Sequence, residues 1–449
     1  MGAALRRIQV GNALGAFGSG FTVPFLFVYV ARVRELGSGT AGAVLAVFAL
    51  SALVVLPFIG RVIDRRGPMP VGLAGAFVAS AGALGFGLSS SAGAVMASSA
   101  LMGGGIAVIH PALATMIVWC STHTSRSRAF ATQFFLNNLG LGVGGLLGGL
   151  MVDEHRPGTF TLLFVVEATM FLVLAGVLAT TRLPRVSRVV HSGDNPTASA
   201  PEPAATGGGG WRTLARDRAM VLLCVLGFVM FFACYGQFES GLSAYAVEVT
   251  RISTSTLGIA LAANTATIVV AQFVVLRWVE GRRRSRVIAL VGLVWTVAWV
   301  AAGVSGLVAG SHVVATALLI STYALFGLGE SMLSPTVAPL VADLAPRPMV
   351  GRYNSALALV KQCALALGPA VGGLMAAAGV YGAYIAMLVG CSLGITALAL
   401  WLGRRLTPVQ DNPLVRLPEP AVAEGREAEV SPVSGAEVAG ARGELTSVV

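Results

Sequence analysis

The sequence is too apolar for a water-soluble protein of its length. Of its 449 residues, 55% are hydrophobic and only 11% are charged, whereas soluble domains carry roughly a quarter charged residues. This composition predicts helices that face lipid and excludes a soluble enzyme or binding domain. The net charge of +10 is spread over short loops. Nucleic-acid binding is therefore not expected, because it needs one basic surface with stacking aromatic residues.

Apolar stretches long enough to cross about 30 Å of hydrocarbon follow one another along the chain. Gly, Pro and Arg residues separate them and predict six spans on each side of one central gap. The first six cover approximately residues 8–30, 40–59, 71–88, 94–119, 129–152 and 160–180. The second six cover approximately residues 220–247, 257–276, 287–308, 313–340, 354–378 and 381–402. The first span is too long for a cleaved signal sequence and is expected to remain as a helix.

Four segments are expected from these spans and from the composition between them. They are an N-terminal six-helix bundle (1–183), a cytoplasmic linker (184–217), a C-terminal six-helix bundle (218–404) and a disordered cytoplasmic tail (405–449). The linker and the tail lack apolar periodicity and are rich in small and polar residues. Most arginines flank alternate loops on one side, so the positive-inside rule places both termini in the cytoplasm of a multi-pass inner-membrane protein.

The two halves of the chain share an internal repeat. Pro111 in span four and Pro335 in span ten are 224 positions apart. The same offset pairs Arg128 with Arg352, Gly144 with Gly368, and Gly148 and Gly149 with Gly372 and Gly373. At a slightly different offset, Asp64 and Glu280 end similar segments after the second span of each half. The repeat predicts an all-α polytopic protein whose twelve helices form two pseudo-symmetric six-helix bundles with parallel topology.

The segment Gly60-Arg-Val-Ile-Asp64-Arg65-Arg66-Gly67 resembles the GxxxDRxG loop between helices two and three of the major facilitator superfamily. The span count, the central linker and the weaker copy around Glu280 agree with this resemblance. It implies the major facilitator fold, no enzymatic activity, no cofactor, and a cytoplasmic gating role for Gly60, Asp64, Arg65 and Gly67. Physically, Asp64 can cap a helix end or pair with a basic residue of the other half, and Gly60 permits close helix approach. The alternative, that the arginines are only topology signals, explains Asp64 poorly.

Glycines at helical spacing in span five resemble the glycine-rich antiporter motif of proton-coupled multidrug exporters. They are Gly140, Gly144, Gly148 and Gly149, and the repeat copy in span eleven is Gly368, Pro369, Gly372 and Gly373. The copy keeps the proline of the family motif, while span five has Gly145 at that position. Span four also lacks the arginine that such exporters often carry, since Ser98 to Gly103 contain no basic residue. The resemblance implies drug export; the alternative is a helix-packing face without bearing on transport direction.

Ionisable groups inside the bilayer cost roughly 2.5–3.5 kcal/mol at a helix centre and are functional candidates by default. The candidates for contact with substrate or protons are Glu239, Glu330, Lys361, Asn137, Asn138, Gln237 and Tyr235. Glu239 ranks first because aromatic and hydrogen-bonding residues surround it in span seven; its alternative is a glutamate at the outer interface. Glu330 either carries coupling or satisfies backbone groups freed by Pro335. Glu167 is expected to be structural.

The 224-residue offset also aligns Asn137 and Asn138 with Lys361 and Gln362, which places polar pairs at matching depths of the two halves. Such a pair suits a central binding site, and it equally suits hydrogen bonds between helices. Lys361 could neutralise one of the buried glutamates. No metal site is expected, because the five cysteines have no metal-type or disulfide spacing.

The leading prediction is a monomeric secondary active transporter that exports small lipophilic molecules or drugs by proton-coupled alternating access. Its partners would be a small-molecule substrate, protons and the lipid bilayer. No GxxxxGK[ST] loop is present, so ATP hydrolysis by this chain is not the energy source. One alternative is a proton-coupled importer of a sugar, organic acid or other metabolite, because a fold does not fix its substrate. Alternatives of another class are a transport-inactive receptor and a membrane enzyme, although no HExxH or GxSxG motif supports the latter.

Overall fold

The structure, a computed structural model, describes residues 2–153, 156–183, 211–238 and 241–412. Within these residues, 12 helices are long and apolar enough to cross a membrane. The first six are α1 (Ala3–Val33), α2 (Gly37–Arg66), α3 (Pro68–Leu88), α4 (Ala92–Trp119), α5 (Arg126–Met151) and α6 (Pro157–Thr180). The second six are α7 (Arg218–Glu248), α8 (Thr256–Glu280), α9 (Arg284–Leu307), α10 (His312–Leu344), α11 (Arg347–Ala377) and α12 (Tyr381–Gly403). The predicted all-α polytopic fold is confirmed.

Helix packing in the second half repeats that of the first half. In the first bundle α1 packs on α5 and α6, α3 packs on α4 and α6, and α2 packs on α4. In the second bundle α7 packs on α11 and α12, α9 packs on α10 and α12, and α8 packs on α10. Each pairing therefore recurs six helices later, as the sequence repeat requires. The bundles meet through α2 and α4 against α11, and through α5 against α8.

Three of the spans are interrupted helices. After Ala3–Thr22, α1 continues as a 3-10 turn (Val23–Phe25), a short helix (Leu26–Val28) and a π-helical turn (Tyr29–Val33). The regular part of α7 ends at Ala233, and a helical turn resumes at Tyr235–Phe238 before Gly241–Glu248. In α10 the helices His312–Leu333 and Val337–Leu344 are separated at Pro335. Proline explains the last break, because it lacks an N–H and clashes with the preceding turn.

The polar segments outside the bundles are partly ordered. The predicted linker is described from residue 211, where helix Trp211–Arg216 begins, and the Trp211 indole donates a hydrogen bond to the Pro57 carbonyl at 3.0 Å. The prediction of a disordered tail from residue 405 is wrong for residues 405–412. There, helix Pro408–Asp411 begins with a capping box, and Asp411 accepts hydrogen bonds from the Ser285 N–H (2.8 Å) and hydroxyl (2.9 Å). Residues 413–449 lie outside the described part.

The glycines of α5 bring its backbone against that of α1. A Cβ atom added at Gly140 would overlap the carbonyl oxygen of Ala13, and one at Gly144 would overlap that of Phe17. At Gly148 it would lie 3.1 Å from the backbone of Phe21. No side chain therefore fits between the two helices at Gly140 and Gly144, and at Gly148 one would fit only if the neighbouring chain shifted.

The same packing recurs between α11 and α7. A Cβ atom at Gly368 would lie 2.6 Å from the Cα atom of Gly236, and one at Gly372 would lie 2.8 Å from Gln237 Oε1. Pro369 lies inside α11, and Gly373 faces open space. The glycine motif and its copy thus form equivalent helix contacts, which favours the packing interpretation of both.

We expect Gly144→Ala to lower the free energy of unfolding by about 1–3 kcal/mol, because its methyl group forces α5 away from α1. The matched control is Gly149→Ala on the same helix, where the nearest atom to an added Cβ is a side-chain carbon of Phe25 at 3.6 Å. That change should stay within about 0.5 kcal/mol of the parent. Denaturant unfolding of the detergent-solubilised protein measures both. Equal stability of the two variants would show that the glycine contact does not limit helix approach.

Candidate functional site

The first interbundle contact at the arginine-rich end joins α2 to α11. A Cβ atom at Gly60 would lie 2.7 Å from the Cα atom of Arg352, so the helices touch through their backbones. Asp64 accepts a hydrogen bond from the Gly351 N–H at 2.7 Å and pairs with the Arg352 guanidinium at 3.4 Å. Asp64 thereby caps the first turn of a helix in the other bundle, where the helix dipole favours a negative charge.

The other two motif residues, Arg65 and Gly67, lie on the surface and at the turn that follows α2, respectively. Arg65 is exposed, and Gly67 ends α2 with a φ of 87°, in the left-handed region that favours glycine. The structure therefore places Gly60 and Asp64 in the interbundle contact, Arg65 on the surface and Gly67 at the turn into α3.

A second ion pair repeats this arrangement with the roles of the two bundles exchanged. The Arg128 guanidinium at the start of α5 makes two hydrogen bonds of 3.2 Å to the Glu280 carboxylate at the end of α8. Arg128 and Arg352 are repeat equivalents, as are Asp64 and Glu280. Each half thus offers an acid at the end of its second helix to an arginine at the start of the other half's fifth helix.

A third carboxylate, Asp343 at the end of α10, was missed by the sequence analysis. Its Oδ1 atom binds Arg126 of the first bundle, and its Oδ2 atom lies 2.6 Å from Arg284 of its own bundle. His123 Nδ1 is a further 2.8 Å neighbour of Oδ1. The side chains of Asp343, Arg126 and Arg284 are only 4%, 6% and 2% exposed. The signal available in the sequence was that Asp343 is the only acidic residue between Glu330 and Asp411.

A buried polar group lies deeper, at the middle of the second bundle. The α10 carboxyl cluster consists of Tyr235, Asn264, Glu330 and Lys361, from four different helices. Glu330 is 3% exposed and accepts a hydrogen bond from the Asn264 amide at 2.9 Å. The Tyr235 hydroxyl is also hydrogen-bonded to Glu330, and the Lys361 ammonium attracts its charge. The carboxyl group is therefore held by hydrogen bonds from α7 and α8, and the positive charge of Lys361 on α11 lies nearby.

Lys361 connects this cluster to the space between the bundles. Its side chain is exposed at mid-span, and its ammonium lies 5.3 Å from the Phe231 ring centre and 5.8 Å from that of Tyr235. His110 of α4 is likewise exposed and close enough to interact electrostatically with Lys361. Two basic side chains from opposite bundles thus face a common space.

The asparagines of α5 lie in the first bundle. The Asn12 amide donates to Asn137 Oδ1 at 3.4 Å, and the Asn138 amide donates to the Phe134 carbonyl of its own helix at 2.9 Å. Asn137 thus touches α1, as its repeat equivalent Lys361 touches α7. The structure does not bring either asparagine into the α10 carboxyl cluster.

Gln237 supports the break in α7. Its amide donates to the Phe232 carbonyl at 3.0 Å and to the Gly368 carbonyl at 3.3 Å, and its Oε1 atom accepts from Tyr384 at 3.0 Å. The Trp299 indole donates to Ala233, the last residue of the regular helix, at 3.1 Å. Gln237 is fully buried in these contacts rather than turned toward the space between the bundles. Glu239 lies outside the described residues.

Glu167 is the second fully buried carboxyl of the described spans. Its Oε2 atom accepts a hydrogen bond of 2.6 Å from Thr22, the residue at which the regular helix of α1 ends. Its Oε1 atom has no hydrogen-bond partner. This group supports the α1 break from α6, within the first bundle.

Twelve spanning helices in two repeated bundles, joined at one end by reciprocal ion pairs, define a polytopic membrane transporter. The sequence model of the Major Facilitator Superfamily matches residues 10–316 and 248–438. The chain therefore belongs to the Major Facilitator Superfamily, whose members are carriers rather than enzymes. This membership confirms the resemblance carried by the loop after α2.

Individual relatives within this family share only a small part of the sequence or a low identity with this chain. Multidrug resistance protein 2 of Bacillus subtilis is 31% identical over 150 residues, which cover 32% of this chain and 36% of that protein. The chain thus spans about a third of that relative's length. The uncharacterized MFS-type transporter YttB of Bacillus subtilis is 22% identical over 378 residues, 83% of this chain and 88% of that one. The fold resembles that of the E. coli fucose:proton symporter FucP, with a TM-score of 0.68 and 13% identity over 89% of this chain and 98% of that one.

We expect Asp343→Asn to destabilise the protein by about 3–5 kcal/mol, because it leaves the buried guanidinium groups of Arg126 and Arg284 without their carboxylate. Glu280→Gln should cost at most about 1 kcal/mol, because Arg128 is 61% exposed. Thermal unfolding compares the two variants.

The same pair of variants tests whether Asp343 holds the bundles together. Spin labels on the exposed positions Thr180 and Arg404, one per bundle, report the distance between the arginine-rich ends. Asp343→Asn should broaden this distance distribution and Glu280→Gln should not. Identical distributions in both variants would contradict a dominant role of the buried carboxylate.

Proposed function

We propose that this carrier exchanges small lipophilic molecules for protons across a bacterial plasma membrane, as a monomer that works by alternating access. The arginine-rich end, with both termini, would lie in the cytoplasm according to the positive-inside rule. The observation that carries this proposal is the α10 carboxyl cluster: a buried carboxyl whose basic partner, Lys361, faces the space between the bundles.

Glu330 is the group that we propose to bind the coupling proton. A carboxyl that is taken out of water but held by neutral donors can exist in both protonation states. With Glu330 charged, the Glu330 and Lys361 charges offset each other. With Glu330 protonated, Lys361 is left as an uncompensated cation. Proton binding therefore raises the charge of the site by one.

This change of charge determines which substrates are exchanged for protons. A lipophilic cation competes with the proton for Glu330, because both need the carboxylate charge. A lipophilic anion instead gains from a free Lys361, which would couple its movement to protons in the same direction. The rings of Phe231 and Tyr235 lie beside Lys361 and offer an apolar surface to a lipophilic substrate. Because aromatic faces attract cations, these rings bind a lipophilic cation better than an aliphatic surface would. Drug export also agrees with what Multidrug resistance protein 2 is named for.

We expect lipophilic cations to release protons from everted membrane vesicles that contain the parent protein, and Glu330→Gln to abolish this release. Glutamine keeps the hydrogen bond to Asn264 but binds no exchangeable proton. A fluorescent pH probe inside the vesicles reports the release, and thermal unfolding of the purified protein shows whether the variant still folds. Glu167→Gln is the matched control, since it neutralises the other buried carboxyl away from Lys361.

Each contrary result has a distinct meaning. Proton release that survives Glu330→Gln but is lost in Glu167→Gln would assign coupling to the first bundle. Uptake of a metabolite into whole cells, driven by inward protons, would make the chain an importer. Substrate binding without movement of either solute would identify a transport-inactive receptor.

A further inference from the structure

A groove at the arginine-rich end lies between the end of α8 and the start of α9. It has a volume of about 410 Å³, and its walls include Trp278, Arg282, Arg283, Arg286 and Val287. Neither the interbundle ion pairs nor the α10 carboxyl cluster uses these arginines. The groove therefore needs an explanation of its own.

The three arginines of the groove differ from their neighbour Arg284. Arg284 is buried against Asp343 at 2.6 Å, whereas Arg282, Arg283 and Arg286 are exposed and pair with no carboxylate among the described residues. The Arg282 guanidinium lies 4.2 Å from the ring centre of Trp278, which limits where it can point. A topology signal requires only positive charge in the loop. It does not require three unpaired guanidinium groups around one cavity.

We propose that this groove binds the headgroup phosphate of an anionic phospholipid. Guanidinium groups recognise phosphate oxygens with two parallel hydrogen bonds, and several around one cavity concentrate positive charge. The groove lies at the membrane ends of two spanning helices, where headgroups are found, and Trp278 is a residue type enriched at that depth. Leu290, which is partly exposed, adds an apolar wall for the start of an acyl chain. A lipid therefore matches both the arginines and the apolar wall of the groove, while a free anion matches only the arginines.

Lipid binding there bears on the contact between the bundles, because Glu280 directly precedes the groove and pairs with Arg128 of the other bundle. A phosphate that orders the α8–α9 turn holds Glu280 in place for this pair. Bound lipid is thus expected to favour closure of the arginine-rich end.

The test uses the full-length protein in neutral detergent, titrated with short-chain phosphatidylglycerol or phosphatidylcholine. Native mass spectrometry counts lipid adducts, and the melting temperature reports stabilisation. Arg282→Gln with Arg286→Gln should weaken phosphatidylglycerol binding by about tenfold or more, since two charge-assisted contacts are lost. The matched control is Arg404→Gln with Arg405→Gln, which removes the same charge, including an arginine beside Trp401, from a place outside the groove.

Four results would overturn the proposal. Equal loss in the two double variants would indicate a general charge effect. Equal binding of both lipids would exclude recognition of the anionic headgroup. The same stabilisation by inorganic phosphate alone would indicate a site for free anions. Tighter lipid binding after replacement of the glutamates in 413–449 by glutamine would identify the chain's own acidic tail as the occupant.

Discussion

The two bundles are held together by carboxylates of one half that face arginines of the other. Asp64 caps α11, Glu280 holds α5, and Asp343 binds Arg126. These contacts differ in strength, because an exposed pair contributes at most about 1 kcal/mol while removal of a buried partner costs about 3–5 kcal/mol. The side chains of Asp343 and Asp64 are only 4% and 6% exposed, whereas Arg128 in the Glu280 pair is 61% exposed. Closure of this end therefore depends mainly on Asp343 and Asp64, and the Glu280–Arg128 pair chiefly fixes which helix ends meet.

The hydrocarbon environment sets a second constraint, since an open backbone group cannot be satisfied by water within the bilayer. The break in α7 exposes carbonyl groups at Phe232 and Ala233, which receive hydrogen bonds from Gln237 and Trp299. With these bonds made, the chain can turn at Cys234 and present Tyr235 to Glu330. The interruption thus belongs to the construction of the α10 carboxyl cluster.

Apolar length and the 224-residue repeat were sufficient to predict the twelve spans and the two similar bundles, because both can be seen in the order of residue types alone. The loop motif likewise indicated that Asp64 meets the other half. Asp343 escaped prediction because its repeat equivalent is Trp119, so no second copy drew attention to it. Gln237 was expected near substrate, yet the helix break directs its side chain toward the protein interior. This orientation depends on contacts with Gly368 and Tyr384, which lie far away in the sequence.

Helices α10 and α11 contribute both to the interbundle contacts at the arginine-rich end and to the α10 carboxyl cluster. Arg352 and Lys361 lie on one uninterrupted stretch of α11, about 14 Å apart at 1.5 Å per residue. A rotation of α11 within its own bundle that separates Arg352 from Asp64 would therefore also move Lys361 relative to Glu330. On α10, Glu330 and Asp343 lie on opposite sides of the break at Pro335, where Ser334 donates a hydrogen bond to Phe130 of the first bundle at 3.0 Å. Because α11 is rigid where α10 can bend, α11 is the element that can transmit a change of charge at Glu330 to the closed end.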